Sequence, residues 1–63
     1  MKLTILYKDG TESIWLVKRV SNISSKTTTP YLYYERHGDL LGQGTKVCME
    51  DVLCWEVEEE DDD

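Results

Sequence analysis

Leu3-Thr4-Ile5-Leu6-Tyr7-Lys8-Asp9-Gly10 is the stretch on which the fold class turns. Side chains alternate across an extended chain. Leu3, Ile5 and Tyr7 therefore share one face, and Lys2, Thr4, Leu6 and Lys8 share the other. Asp9-Gly10 ends the run. Glycine reaches positive φ without steric cost and aspartate hydrogen-bonds its own backbone, so this pair predicts a tight turn and a returning strand.

Working outward, the return strand runs from about Glu12 to Val20. Ile14, Leu16 and Val20 lie on one face and Trp15 and Val17 on the other. With both faces partly apolar, the pattern implies a curled sheet or a covered outer face. Residues 21–29, six of them Ser or Thr, read as the longest loop. Pro30 closes that loop, because it cannot donate within a sheet. Tyr31 to Arg36 forms a third strand, with Tyr31 and Tyr33 opposite Leu32 and Tyr34. Gly38, Gly42 and Gly44 punctuate the next connection. Val47 and Met49 alternate in a fourth strand, Met49-Glu50-Asp51 reads as a tight or 3₁₀ turn, and Val52 to Val57 forms a fifth strand. Leu53, Trp55 and Val57 are expected on one face of it.

The composition agrees. Ala and Phe are absent, and Val, Ile, Thr, Tyr and Trp supply twenty of 63 residues, all strand formers. The expected fold is all-β: a small five-stranded SH3-like or Sm-like barrel, or a curled antiparallel sheet, with a short C-terminal helix or 3₁₀ turn allowed around residues 48–53. A helix over residues 46–55 is the rival, since Cys48, Val52 and Trp55 stand at helical spacing. Their weak helix propensity favours strands.

Charge divides the chain. Of the 13 acids, Glu56, Glu58, Glu59, Glu60, Asp61, Asp62 and Asp63 all lie in the last eight residues. The remaining six acids face seven bases, so residues 1–55 carry a formal charge of +1 although the whole chain carries −6. The expected organisation is one β domain over residues 1–57 and an acidic C-terminal tail over residues 58–63. A run of like charges stays solvated. It also steers association with a basic surface over about 10 Å at moderate salt.

Catalytic and metal chemistry find little purchase. The single His37, in Glu35-Arg36-His37-Gly38, reads as an exposed turn residue with no assignable nucleophile. Cys48 and Cys54 with one distant His fall short of the usual zinc set. They read as two reduced thiols behaving as small apolar groups. Gly42-Gln43-Gly44-Thr45-Lys46 departs from the phosphate-loop spacing and precedes a strand, so it reads as a hairpin loop. Asn22-Ile23-Ser24 matches the glycosylation pattern, which matters only in a secreted chain. The apolar run at the start is too short for a secretory signal, and no stretch reaches membrane-spanning length, so the expected compartment is cytoplasmic. No cofactor is expected and no enzyme activity.

Three function classes remain. The first is a small protein-binding module that meets a basic partner through its acids, with Tyr33, Tyr34 and Arg36 as further contact residues. Size and charge alone make it analogous to phage and mobile-element inhibitors, such as anti-CRISPR and anti-restriction proteins, whose acids mimic nucleic-acid phosphates. The second is a nucleic-acid binder that stacks bases on Tyr31, Tyr33 and Tyr34 beside Arg36, with a competing acidic tail. The third is a domain that pairs through an unprotected edge strand into a homodimer.

Overall fold

The computed structural model describes residues 1–59. Five antiparallel strands form one sheet: β1 (Lys2–Tyr7), β2 (Glu12–Ile23), β3 (Tyr31–Arg36), β4 (Thr45–Cys48) and β5 (Val52–Glu58). Their spatial order is β4-β3-β2-β1-β5. The all-β expectation holds, and residues 46–55 are strand, turn and strand rather than helix, with a 3₁₀ turn over Met49–Asp51.

That turn dictates the shape. It joins β4 to β5, which lie at opposite edges of the sheet. Four strand spacings would separate the edges of a flat sheet by roughly 19 Å, whereas three 3₁₀ residues advance about 6 Å. The sheet must therefore curl until its two edges meet at this end. Two backbone bonds hold the junction: Met49 N–H donates to Pro30 O at 3.1 Å, and Lys8 N–H donates to Asp51 O at 2.9 Å. The edges do not pair with each other, so the sheet stays open rather than closing as a barrel.

Strand β2 makes the curl. Twelve residues long, it pairs with β1 through Glu12–Leu16 and with β3 through Val17–Ile23. The register shifts between Val17 and Arg19, leaving Lys18 as the extra residue of a bulge. Bulges bend a strand and raise its twist. Strand β2 runs three residues beyond the Val20 end expected from the sequence, through Ser21, Asn22 and Ile23, which pair with Tyr33, Leu32 and Tyr31. The connection to β3 is correspondingly shorter. Ser21, Asn22 and Ile23 are all exposed, and they extend the strand because β3 offers them pairing partners.

A second bulge changes the phase of β5. Leu6 pairs with Cys54 and Tyr7 with Val52, so Leu53 has no partner on β1. Val52 points inward before the bulge, and Trp55 and Val57 do so after it, opposite Ile5 and Leu3. Leu53 was expected beside Trp55 and Val57, but it is 62% exposed, because the bulge turns it to solvent.

The core is small. Leu3, Ile5, Val17, Leu32, Tyr34 and Val52 are buried, with Trp15, Trp55, Val47, Val57 and others packed around them. Full burial of a side chain such as Leu or Ile contributes about 1.5–3 kcal/mol. At the β1–β2 turn, Gly10 takes φ 92°, and the Thr11 N–H and hydroxyl both donate to Asp9 Oδ1, at 2.9 and 2.6 Å. Asp9-Gly10 thus turns the chain as its residue types predict. Among the described residues no helix is long and apolar enough to cross a membrane.

Candidate functional site

The acids of β5 belong to a built surface. Register places Glu58 opposite Lys2, Glu56 opposite Thr4 and Cys54 opposite Leu6. The same β1 residues pair with Leu16, Ile14 and Glu12 on β2. Side chains alternate, so these nine share the outer face of β5-β1-β2. Glu56, Glu58 and Glu12 are exposed there, and Ile14 and Leu16 keep 53% and 56% of their surface in water. Three carboxylates and one lysine thus frame an apolar strip.

A hollow of about 300 Å³ lies within this face, lined by Thr4, Leu6, Glu12, Cys54, Trp55 and Glu56. Its floor is Leu6 and Thr4, and a carboxylate stands on each side. Long basic side chains lay their alkyl stems on apolar surface and keep the charge at a polar rim.

Strand β5 is also an edge. Among the described residues it pairs only with β1, so every second residue turns its N–H and C=O outward. Glu59 follows the strand and is exposed. The remaining acids of the expected site, Glu60, Asp61, Asp62 and Asp63, lie outside the described residues.

The aromatic candidates sit elsewhere and do different work. Tyr34 is 4% exposed, within the core, and burial raises its hydroxyl pKa. Its ring faces Trp15 at 6.4 Å. Arg36 stacks its guanidinium 4.9 Å over the Trp15 ring and reaches Asp39 Oδ2 at 3.5 Å. Tyr33 points to the opposite face of β3 from Tyr34, as alternation predicts, so the three tyrosines make no single platform. Tyr31 does share a face with Tyr33, and Lys46 Nζ lies 5.2 Å from its ring.

Tyr33 leads to a feature that composition hides. Its hydroxyl donates to Glu35 Oε2 at 2.5 Å, and Gly42 N–H donates to the same oxygen at 2.6 Å. Gly44 N–H in turn donates to Tyr33 Oη at 3.1 Å. The segment between β3 and β4 folds over Glu35 and leaves it only 1% exposed. The Tyr33 hydroxyl, then the Gly42 N–H, hold its carboxyl below the usual range, while that bond raises the tyrosine. Arg19 Nε stands 3.8 Å from Oε1, which has no hydrogen-bond partner among the described residues. The glycines are required: Gly42 has φ 80°, and a Cβ on Gly44 would overlap the Tyr34 carbonyl oxygen and stand 2.9 Å from Glu35 Cγ. Gly42 and Gly44 therefore cover a carboxylate belonging to the chain itself.

Lys18 Nζ donates to Asp39 O, and Arg36 N–H donates to Asp39 Oδ2 at 2.9 Å, which holds that carboxyl low. His37 is exposed in this turn. Cys48 is half-buried and Cys54 exposed, both as free thiols. Among the described residues no group of three or more His, Cys, Asp and Glu stands where it could hold a metal ion. Comparison with protein-family models, with curated proteins and with solved structures yields no match.

Proposed function

We propose that this chain is a small, non-enzymatic protein-binding module that docks its acidic C-terminal strand and the acids after it on a basic partner. The observation that carries the reading is the regular placement of Glu56 and Glu58 on the outer face of an open edge strand. Two residues apart on a strand, they stand about 6.8 Å from each other. In the sequence, Glu59, Glu60, Asp61, Asp62 and Asp63 follow, adding five further negative charges. A fixed pair of carboxylates on a strand presents itself to a partner as neighbouring phosphates do, and the partner class that fits is a nucleic-acid-handling enzyme. An inhibitor from a phage or mobile element, acting on a CRISPR or restriction nuclease, is the form this reading takes at its most specific.

The nucleic-acid-binding alternative draws on Tyr31, Lys46 and Arg19, which share the outer face of β2-β3-β4. It is the weaker reading, because the Tyr33 hydroxyl on that face is engaged by Glu35 and Gly44.

The test is capture from lysate with the full chain and with the double variant Glu56→Gln/Glu58→Gln, at low and high salt. Both acids are exposed, so the variant keeps the fold. The reading expects a stoichiometric basic protein, released by salt and captured about tenfold less by the variant. Capture of nucleic acid by both forms alike would overturn it in favour of the alternative.

A further inference from the structure

The open side of β5 has two faces with different demands. On the outer face Cys54, Glu56 and Glu58 alternate, with the hollow between Glu12 and Glu56 beside them. On the inner face Trp55 and Val57 alternate, packed on Ile5 and Leu3 yet only half-buried at the sheet edge. Among the described residues, the backbone between them pairs only with β1 and turns its other N–H and C=O groups to the open side. An added strand would satisfy all three at once: its backbone would pair with β5, one set of side chains would cover Trp55 and Val57, and the other set would face carboxylates.

We propose that β5 is a strand-addition site for an extended segment of a partner in which apolar residues alternate with Lys or Arg. The proposal rests on the acidic docking reading and deepens it by naming the mode and the recognised pattern. Main-chain bonds supply affinity and alternate side-chain positions supply specificity in such pairing. Basic residues of the added strand stand opposite Glu56 and Glu58, and one lays its stem over Leu6 with its charge between Glu12 and Glu56. Apolar residues of the added strand extend the core past Trp55 and Val57.

The pattern also disfavours self-pairing in the registers that set Glu56 and Glu58 opposite each other or their own copies, because like charges facing across strands are destabilising. The opposite edge, β4, carries Lys46 within Thr45–Cys48 and offers only four residues to pair. A basic strand of another protein is the better complement.

Three synthetic ten-residue peptides test this on the full chain by amide hydrogen exchange and Trp fluorescence. One alternates Val and Lys. The second has the same sequence with alternate backbone nitrogens methylated. The third has the same composition with the lysines and valines in separate blocks. Strand addition expects the alternating peptide to bind and to slow exchange of β5 amides within Val52–Glu58, leaving β4 amides unchanged. Methylation and blocking should each weaken binding by about tenfold or more, since they remove the backbone bonds or the register. Glu56→Lys with Glu58→Lys should weaken the alternating peptide to a similar degree, about tenfold. Equal binding of all three peptides, lost in that variant, would overturn strand addition and leave acidic docking standing. Protection at β4 instead of β5 would overturn the site. No binding by any peptide would overturn strand addition, while capture of a folded basic partner would still decide the docking reading on its own.

Discussion

Glu35 shows what one residue contributes. It is a carboxylate buried beneath a loop, held by Tyr33 and Gly42, with Arg19 near its second oxygen. Its pKa is lower folded than unfolded. Its stabilising contribution is therefore complete at neutral pH, declines as the pH falls below the ordinary glutamate range, and vanishes below the folded value. Asp9 and Asp39, likewise lowered, shift overall stability in the same direction. Thermal unfolding of wild type and Glu35→Gln between pH 7 and pH 3 separates them. The variant should be less stable at pH 7, and the gap should narrow as the pH falls. A gap that stays constant with pH would contradict the role given to the Glu35 charge. Alternation along β3 places Glu35 on the outer face with Tyr31 and Tyr33, and a glutamate there reads as solvated. Only the return of Gly42 and Gly44 over it buries the group, and that return depends on tertiary geometry. The clue in the sequence was the cluster of glycines after a strand that carries Tyr33-Tyr34-Glu35 near its end.

At the scale of elements, the strands were legible because residue alternation and Asp9-Gly10 are local signals. The phase of β5 was not. Counting by twos from Val57 puts Leu53 inside, but the unpaired position at Leu53 shifts the count, so that Val52 is 6% exposed and Leu53 62% exposed. A bulge is a property of two paired strands, and β1 gives no sign of it in its own residues. The two sites therefore respond oppositely to the same change. Leu53→Ser should alter stability by less than about 0.5 kcal/mol, as exposed substitutions do. Val52→Ser should cost about 1–3 kcal/mol, through lost burial and an unpaired hydroxyl. Urea unfolding of the two variants measures both. A larger loss for Leu53→Ser would place the bulge wrongly. The length of β2 was missed for a related reason. Ser21 and Asn22 are poor strand residues, yet they pair with Tyr33 and Leu32 because β3 provides a template for them.

Across the whole molecule, charge is segregated. The outer face of β5-β1-β2 carries Glu12, Glu56 and Glu58 against one base, Lys2, whereas the outer face of β2-β3-β4 carries Arg19 and Lys46, with its one acid, Glu35, buried. The sequence separated an acidic end from a nearly neutral body. It placed the boundary between strand and tail after Val57, with Glu56 in the strand; the strand runs one residue further, so Glu56 and Glu58 both lie in β5, and Val57 between them packs against the core. Deleting residues 56–63 would therefore remove the end of a core strand along with the acids. Substitution is the sound way to ask what the acids do.

The central claim is that fixed acids on β5 dock a basic partner. It is tested most directly by measuring the affinity of the captured partner for the full chain and for Glu56→Lys/Glu58→Lys across a range of salt concentrations. Between 50 and 300 mM salt the wild-type affinity should fall steeply. The variant should bind at least about tenfold more weakly at low salt, with a shallower salt dependence. Equal affinities with parallel salt dependences would show that the partner does not meet this strand, and would contradict the account.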